Sequence, residues 1–255
     1  MMVSHSDVFI VLSPPRSCST LISRILWEDP VFGFFAMEPF DGIYRGREPT
    51  TTTVAALGHV QPLADILQVR RTGTALLIKE ITYQVGEHFP AFSQWPTRPI
   101  LFAVRDPRLT ISSRMHKLRE GGFSSIFPHA ESGWTALARQ VQTCRSQGIP
   151  YLIVDGTLLR SHPAQLTAAM FREVGLQSSP PLSWHPIGHA DFGIGTGLHD
   201  YFFDRALSSS AIDPPDRQVP QLSDFPAQGG MRRHVAECLD IYAEITADDR
   251  YLQPS

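Results

Sequence analysis

The residues best suited to chemistry on an anion open the chain. Ser13-Pro14-Pro15-Arg16-Ser17-Cys18-Ser19-Thr20 follows five apolar residues, Val8-Phe9-Ile10-Val11-Leu12, and precedes a helical pattern. A strand–loop–helix junction aims backbone N–H groups and the positive end of a helix dipole at one point, where a phosphate or sulfate can be held. Laid on the nucleotide-binding pattern G-x-x-x-x-G-K-[ST], the loop keeps only Thr20. Ser13 and Cys18 stand in place of the glycines, and Ser19 in place of the lysine that reaches the β- and γ-phosphates. The cation is Arg16 instead, inside the loop. This loop suits an anion, but not the hydrolysis of a nucleoside triphosphate. The second such segment is Ile100-Leu101-Phe102-Ala103-Val104-Arg105-Asp106-Pro107-Arg108, continuing to Ser112-Ser113-Arg114. It predicts a strand ending in Arg105, a turn, then a helix carrying Ser113. The planar guanidinium fork suits a phosphate, and a serine hydroxyl adds one more hydrogen bond.

The elements that position these residues alternate. The apolar runs Val8–Leu12, Phe32–Phe35, Ala75–Ile78, Ile100–Val104 and Tyr151–Val154 read as buried strands. Ser19–Trp27, Val54–Gln68, Leu109–Arg119, Thr135–Ser146 and Pro163–Val174 read as helices between them. Such alternation predicts a three-layer α/β fold with a central, mostly parallel sheet. Ligands of such sheets gather at the carboxyl ends of the strands. Arg16, Lys79 and Arg105 each come just after an expected strand and can converge there. Residues 178–230 are rich in Pro, Gly, Ser and Asp and predict an irregular cover, closed by an amphipathic helix over Met231–Ile245. The expectation is one domain over 1–255, with a nucleotide-binding core over 1–177 and the cover and helix over 178–255.

Loop, strand-end Arg and spaced Ser together resemble the sulfotransferases that use 3′-phosphoadenosine 5′-phosphosulfate (PAPS), over roughly residues 8–175. Pro15-Arg16-Ser17-Cys18-Ser19-Thr20 is similar to the family loop P-[KR]-[ST]-G-[ST]-T, which binds the 5′-phosphosulfate. Arg105 and Ser113 stand at the family's spacing for binding the 3′-phosphate. The resemblance implies a P-loop-like, sulfotransferase-type fold and PAPS as sulfuryl donor, with no metal. Glu38, in Ala36-Met37-Glu38-Pro39-Phe40, stands where Arg-loop members carry a catalytic Glu. A carboxylate there can take the proton that a hydroxyl acceptor loses as it attacks sulfur. Lys79, in Leu76-Leu77-Ile78-Lys79-Glu80, resembles the family lysine that neutralises charge on the transferring group and its leaving side. The implied catalytic set is Glu38, Arg16 and Lys79. The implied donor-binding set is Pro15, Arg16, Ser17, Cys18, Ser19, Thr20, Arg105 and Ser113. Cys18 departs from the loop glycine, which often supplies a positive φ or a close backbone approach. The C-terminal G-x-x-G-x-x-K element is absent, Gly193-Ile194-Gly195-Thr196-Gly197 being a loose echo. Acceptor pockets in this family come from variable loops, here 40–53, 121–134 and 180–230.

Composition narrows the class. The chain has 255 residues, 18% charged and 42% apolar, with a net charge of −3. That fits a globular protein and gives no general attraction for nucleic acid. Its three cysteines, Cys18, Cys144 and Cys238, are widely separated and suggest neither a disulfide framework nor a C-x-x-C metal site. No segment approaches the roughly 18 apolar residues of a membrane span. Together these predict a cytoplasmic protein without nucleic acid or membrane partners; the resemblance implies a small-molecule acceptor as its partner.

Each residue also has a plainer reading. Arg16 can be a helix-entry surface residue, Arg105 can pair with Asp106, Ser113 can be an ordinary helix serine, and Glu38 a turn residue. Lys79 and Glu80 can be a solvated pair, and Cys18 a small buried filler. His185 and His189 share i, i+4 spacing, but Pro186 between them breaks a helix and argues against a metal site. Phe123, Phe127 and Trp134 can line an acceptor pocket or belong to the core, whereas Trp27, Phe32, Phe34 and Phe35 read as core. Two other functions compete with sulfuryl transfer. One is a phosphotransferase or kinase of a related nucleotide-binding fold, and the other a non-catalytic nucleotide-binding homologue. The missing loop lysine and the want of an evident acidic Mg²⁺ ligand at a strand end count against the first.

Overall fold

The computed structural model describes residues 6–46, 60–67, 70–187, 208–215 and 218–254. Along the chain run β1 (Val8–Ser13), α1 (Ser19–Trp27), β2 (Phe32–Met37), α2 (Asp41–Tyr44), β3 (Gln61–Pro62) and α3 (Leu63–Leu67). Then come β4 (Ala75–Ile81), α4 (Thr82–Val85), α5 (Phe89–Phe92), β5 (Ile100–Val104), α6 (Pro107–Glu120) and α7 (Trp134–Gln147). They are followed by β6 (Tyr151–Asp155), α8 (Gly156–Ser161), α9 (Pro163–Glu173) and α10 (Met231–Thr246). The strands form a six-stranded sheet in the order β3-β2-β4-β1-β5-β6. All pairs are parallel except the short edge pair β2/β3.

Alternation along each strand builds two cores. Phe9, Val11, Leu77, Leu101 and Val154 face a cluster that includes Ile22, Leu26 and Trp27 of α1 and Leu166, Met170 and Phe171 of α9. Ile10, Leu12, Ile78, Phe102 and Ile153 face the opposite cluster, with Ile111 of α6, Trp134 and Val141 of α7, and Val235 of α10. Every residue of β4, β5 and β6 is buried, as expected for parallel strands covered on both faces. The chain leaves β1 toward β2 on one side, and leaves β5 toward β6 on the other. That reversal makes the carboxyl ends of β1 and β5 a topological switch point, the place where open α/β sheets bind ligands.

Some expectations shift. Val54–Gln68 is not a helix over its described part: Gln61 and Pro62 pair with Phe35 and Phe34 as an antiparallel edge strand, and the helix spans only Leu63–Leu67. Pro62 has no N–H to give an interior helix bond and fits an edge strand. Residues 54–59 and 68 lie outside the described residues, as do His189 and Gly193–Gly197. Lys79 and Glu80 are within β4, not beyond it, because β1 carries the ladder on, pairing Val11 with Lys79 and Leu12 with Glu80. The solvated-pair reading of these two fails, since both are buried. Trp27, Phe32 and Phe35 are core, and Phe34 is partly buried. Helix α6 starts earlier than expected because Asp106 caps it, accepting from the Arg108 N–H at 2.8 Å, with Pro107 at its first position. The described parts of the expected cover contain two short 3₁₀ turns, over 222–224 and 228–230, and an isolated bridge between Ser183 and Ala211.

Helix α10 packs across α6 and α7. Its buried His234 places Nε2 2.9 Å from Ser132 Oγ and stacks on His129, with ring centroids 4.2 Å apart. Burial, and then the nearby His129, push the His234 imidazole down from 6.5 to about 4. The unfolded chain therefore binds a proton here before the folded one does. Stability is complete above pH 6.5 and falls as the pH drops toward 4, by roughly 3 kcal/mol from this group. Urea melts at pH 7 and pH 4.5 check this, and His234→Gln is expected to flatten that part of the slope.

Candidate active site

The loop after β1 holds two of the three non-glycine residues that adopt positive φ among the described residues: Arg16 at +68° and Cys18 at +66°. The third is Glu38, at +47°, in the turn after β2. Left-handed backbone costs an L-residue of order 1 kcal/mol or more, and such strain concentrates at functional sites. Cys18 takes a left-handed conformation that glycine adopts most readily, and caps α1 by its backbone carbonyl, which accepts from Ile22 N at 3.0 Å. Its side chain is accommodated by the absence of another. A Cβ on Gly156, where α8 begins, would lie 2.7 Å from both Cys18 Cβ and Sγ. On the opposite flank Gly133 (φ +80°) packs on the loop: a Cβ there would lie 3.0 Å from Pro14 Cα and from Pro15 Cδ. Neither glycine stood out in the sequence, because each contact is made far along the chain.

Arg16 Nε donates to Ser113 Oγ at 3.2 Å, joining the loop to α6 across 97 residues. Ser113 is buried, so it is not an ordinary surface serine. Arg105 is also buried, at the end of β5 beside β1. The register pairs Leu12 with Phe102 in parallel, so Arg105 leaves β5 at the same sheet edge at which the loop leaves β1. Asp106 does not neutralise Arg105; its carboxylate caps α6 and pairs with Arg108 at 2.7 Å. The Nε of Arg105 and the hydroxyls of Ser13 and Ser17 are buried and meet no hydrogen-bonding partner. The first turn of α1 adds N–H groups that have no acceptor within the helix. This donor-rich set suits an anion.

Glu38 follows β2 at the same edge of the sheet, two strands from β1. Met37, just before it, pairs in register with Lys79. Lys79 Nζ donates to Glu38 Oε1, an ion pair in which the lysine is only 2% exposed. Gln84 Nε2 donates to Asp41 Oδ1 at 2.8 Å and lies 3.4 Å from Glu38 Oε2. These contacts hold the carboxylate, which stays 12% exposed. Gln84, Asp41 and Glu80 were missed in the sequence; the Lys79-Glu80 pair after an apolar run was the available signal, and it resembles a strand end.

Aromatic groups stand beside this carboxylate. The Arg114 guanidinium lies over Phe127, at 4.7 Å, and over Tyr83, at 5.6 Å, and pairs with Glu131. Burial, outweighing the Arg114 charge, raises the Tyr83 phenol to about 12, so it stays protonated. Tyr44 meets Tyr83 edge-on at 4.9 Å. Trp134 is wholly buried, with its Nε1 3.4 Å from Thr110 Oγ1, and belongs to the core. Phe127 is buried under Arg114, while Phe123 is exposed. His185 contributes its carbonyl, which accepts from Arg24 Nη2 at 2.6 Å. Among the described residues no group of three metal-ligating side chains occurs, and no helix is long and apolar enough to cross a membrane.

Fold and site together define an α/β protein with a donor-rich loop at the switch point of a mostly parallel sheet. The fold is that of the sulfotransferases. It matches the sulfotransferase domain of the olefin synthase of Synechococcus PCC 7002 over 94% of this chain and 96% of that one, with a TM-score of 0.53 and 18% sequence identity. A mouse sulfotransferase, SULT7A1, complexed with PAP aligns over 96% of this chain and 86% of its own, with a TM-score of 0.47 and 10% identity. No family model matches the chain, and no curated protein matches it in sequence.

Proposed function

We propose that this chain is a sulfotransferase that moves a sulfuryl group from PAPS to a hydroxyl, or an amine, of a small-molecule acceptor. The observation that supports this reading is that three separate segments lie at the carboxyl-end edge of neighbouring strands β2, β4, β1 and β5. Arg16 bonds Ser113, Arg105 follows β5 with a buried Nε that meets no partner, and Lys79 pairs with Glu38 after β2. PAPS supplies the sulfuryl group, on a bond to its 5′-phosphate that breaks as the acceptor attacks. Pro15, Arg16, Ser17, Cys18, Ser19 and Thr20 hold the 5′ end through the loop N–H groups, hydroxyls and guanidinium. Arg105 and Ser113 grip the 3′-phosphate. Glu38 takes the acceptor's proton on a carboxylate oxygen as the new oxygen–sulfur bond forms. Lys79 orients that carboxylate and faces the negative charge that develops on the departing side; a fixed cation in a buried site meets such charge without reorganising. The strand-end acids Asp106 and Asp155 are engaged as helix caps, which weighs against a kinase-type use of either.

Thermal shift tests this reading. Adenosine 3′,5′-bisphosphate at 100 times its Kd is expected to stabilise the protein by about 2.7 kcal/mol, several degrees in Tm. ATP with Mg²⁺ is expected to do little. Transfer from PAPS to one or more members of a panel of phenols, alkanols and amines completes the test. A larger shift with ATP–Mg²⁺ would favour phosphoryl transfer, and bisphosphate binding without transfer to any acceptor would favour a non-catalytic homologue.

A further inference from the structure

We propose that Glu80 is a positioning residue of the active site: its buried carboxyl group clamps the turn after β2 and so holds Glu38 in its left-handed conformation. The proposal rests on the reading of Glu38 as the base.

The backbone of that turn has three donors, because Pro39 has none. Glu38 N donates to the Lys79 carbonyl at 2.7 Å, which continues the pairing of β2 with β4. Asp41 N donates to the Glu38 carbonyl at 3.0 Å, within the turn itself. Phe40 N is left, and it donates to Glu80 Oε2 at 2.8 Å. The other carboxyl oxygen of Glu80 accepts from Ile81 N at 2.6 Å. One side chain therefore ties the end of β4 to the turn that carries Glu38.

The cost of this arrangement argues that the clamp matters. Glu80 is 0% exposed. A carboxyl group out of water is expensive unless it is well bonded. Burial, and then the nearby charge of Glu38, raise its pKa well above the ordinary range, against the two N–H bonds and Lys79. An apolar residue here would avoid that penalty, but would orphan a buried N–H in the turn. Glu38 itself sits at φ +47°, a conformation that persists only where its surroundings over-determine it. Lys79 and Glu80 are neighbours in the strand, so their side chains leave opposite faces. Lys79 orients the Glu38 side chain, and Glu80 fixes its backbone.

Glu80→Gln tests the clamp while keeping the shape of the residue. The amide oxygen can accept one N–H, but the amide nitrogen then confronts the other as donor against donor. The expected result is a kcat at least 10-fold lower per bisphosphate-binding site, with the Kd for adenosine 3′,5′-bisphosphate within about twofold of the parent. Turnover is read on the best acceptor of the panel. The Glu38→Gln, Glu80→Gln double variant is expected to be no slower than Glu38→Gln alone, since Glu80 acts through Glu38. A parental kcat in folded Glu80→Gln, or a double variant slowed by the product of the two single losses, overturns the proposal. The parent protein gives a check that needs no variant. The Phe40 amide is expected to resist hydrogen exchange at least 100-fold relative to a free peptide, and exchange at the free-peptide rate overturns the clamp. A Glu38→Gln variant with parental turnover would instead remove the base reading itself.

Discussion

Glu38→Gln is expected to lower turnover by about 10²- to 10⁴-fold, the usual contribution of a positioned general base. The substitution keeps the side chain's length, and its amide oxygen can still accept from Lys79 Nζ, so the ion-pair partner stays in place. What is lost is the oxygen that can take a proton from the acceptor. Calorimetry with adenosine 3′,5′-bisphosphate separates the roles: its Kd is expected to stay within about twofold of the parent, because the loop and Arg105 are untouched. Equal losses in binding and turnover would make Glu38 a structural residue, and unchanged turnover would exclude it as the base.

Arg105→Ala is expected to weaken the 3′-phosphorylated nucleotide by on the order of 10²-fold or more, since truncating one partner of a buried, hydrogen-bonded charge pair costs about 2–5 kcal/mol. Adenosine 5′-monophosphate, which lacks the 3′ group, is expected to bind the variant and the parent almost equally. The contrast follows from position. Arg105 is buried at the end of β5, with an Nε that meets no partner, and Asp106 is engaged elsewhere. Titrating both nucleotides into both proteins checks it. An equal loss for the two would remove Arg105 from the 3′ end.

Five of the six described strands and the long helices were legible in the sequence. Apolar runs of four or five residues, alternating with stretches of helical periodicity, imply a buried parallel sheet. The loop at Pro15–Thr20 was legible for the same local reason, since a strand, a turn and a helix start lie next to one another in the chain. The partners of these residues were not. Arg16 meets Ser113 97 residues away, and Glu80 bonds Phe40 across 40. Such distances record which strands adjoin, and apolar periodicity is blind to that order.

The sequence by itself determined which residues could bind an anion or take a proton, because side-chain chemistry and local spacing travel with the chain. Only the tertiary structure decided that Lys79 and Glu80 are buried, since β1 extends their strand past the point where its apolar character ends. It also decided that Cys18 can stand where a glycine was expected, since Gly156 leaves space for its side chain. Both outcomes depend on packing between segments far apart in sequence, where the steric and dielectric surroundings of a residue are set by neighbours that its own stretch of chain does not contain.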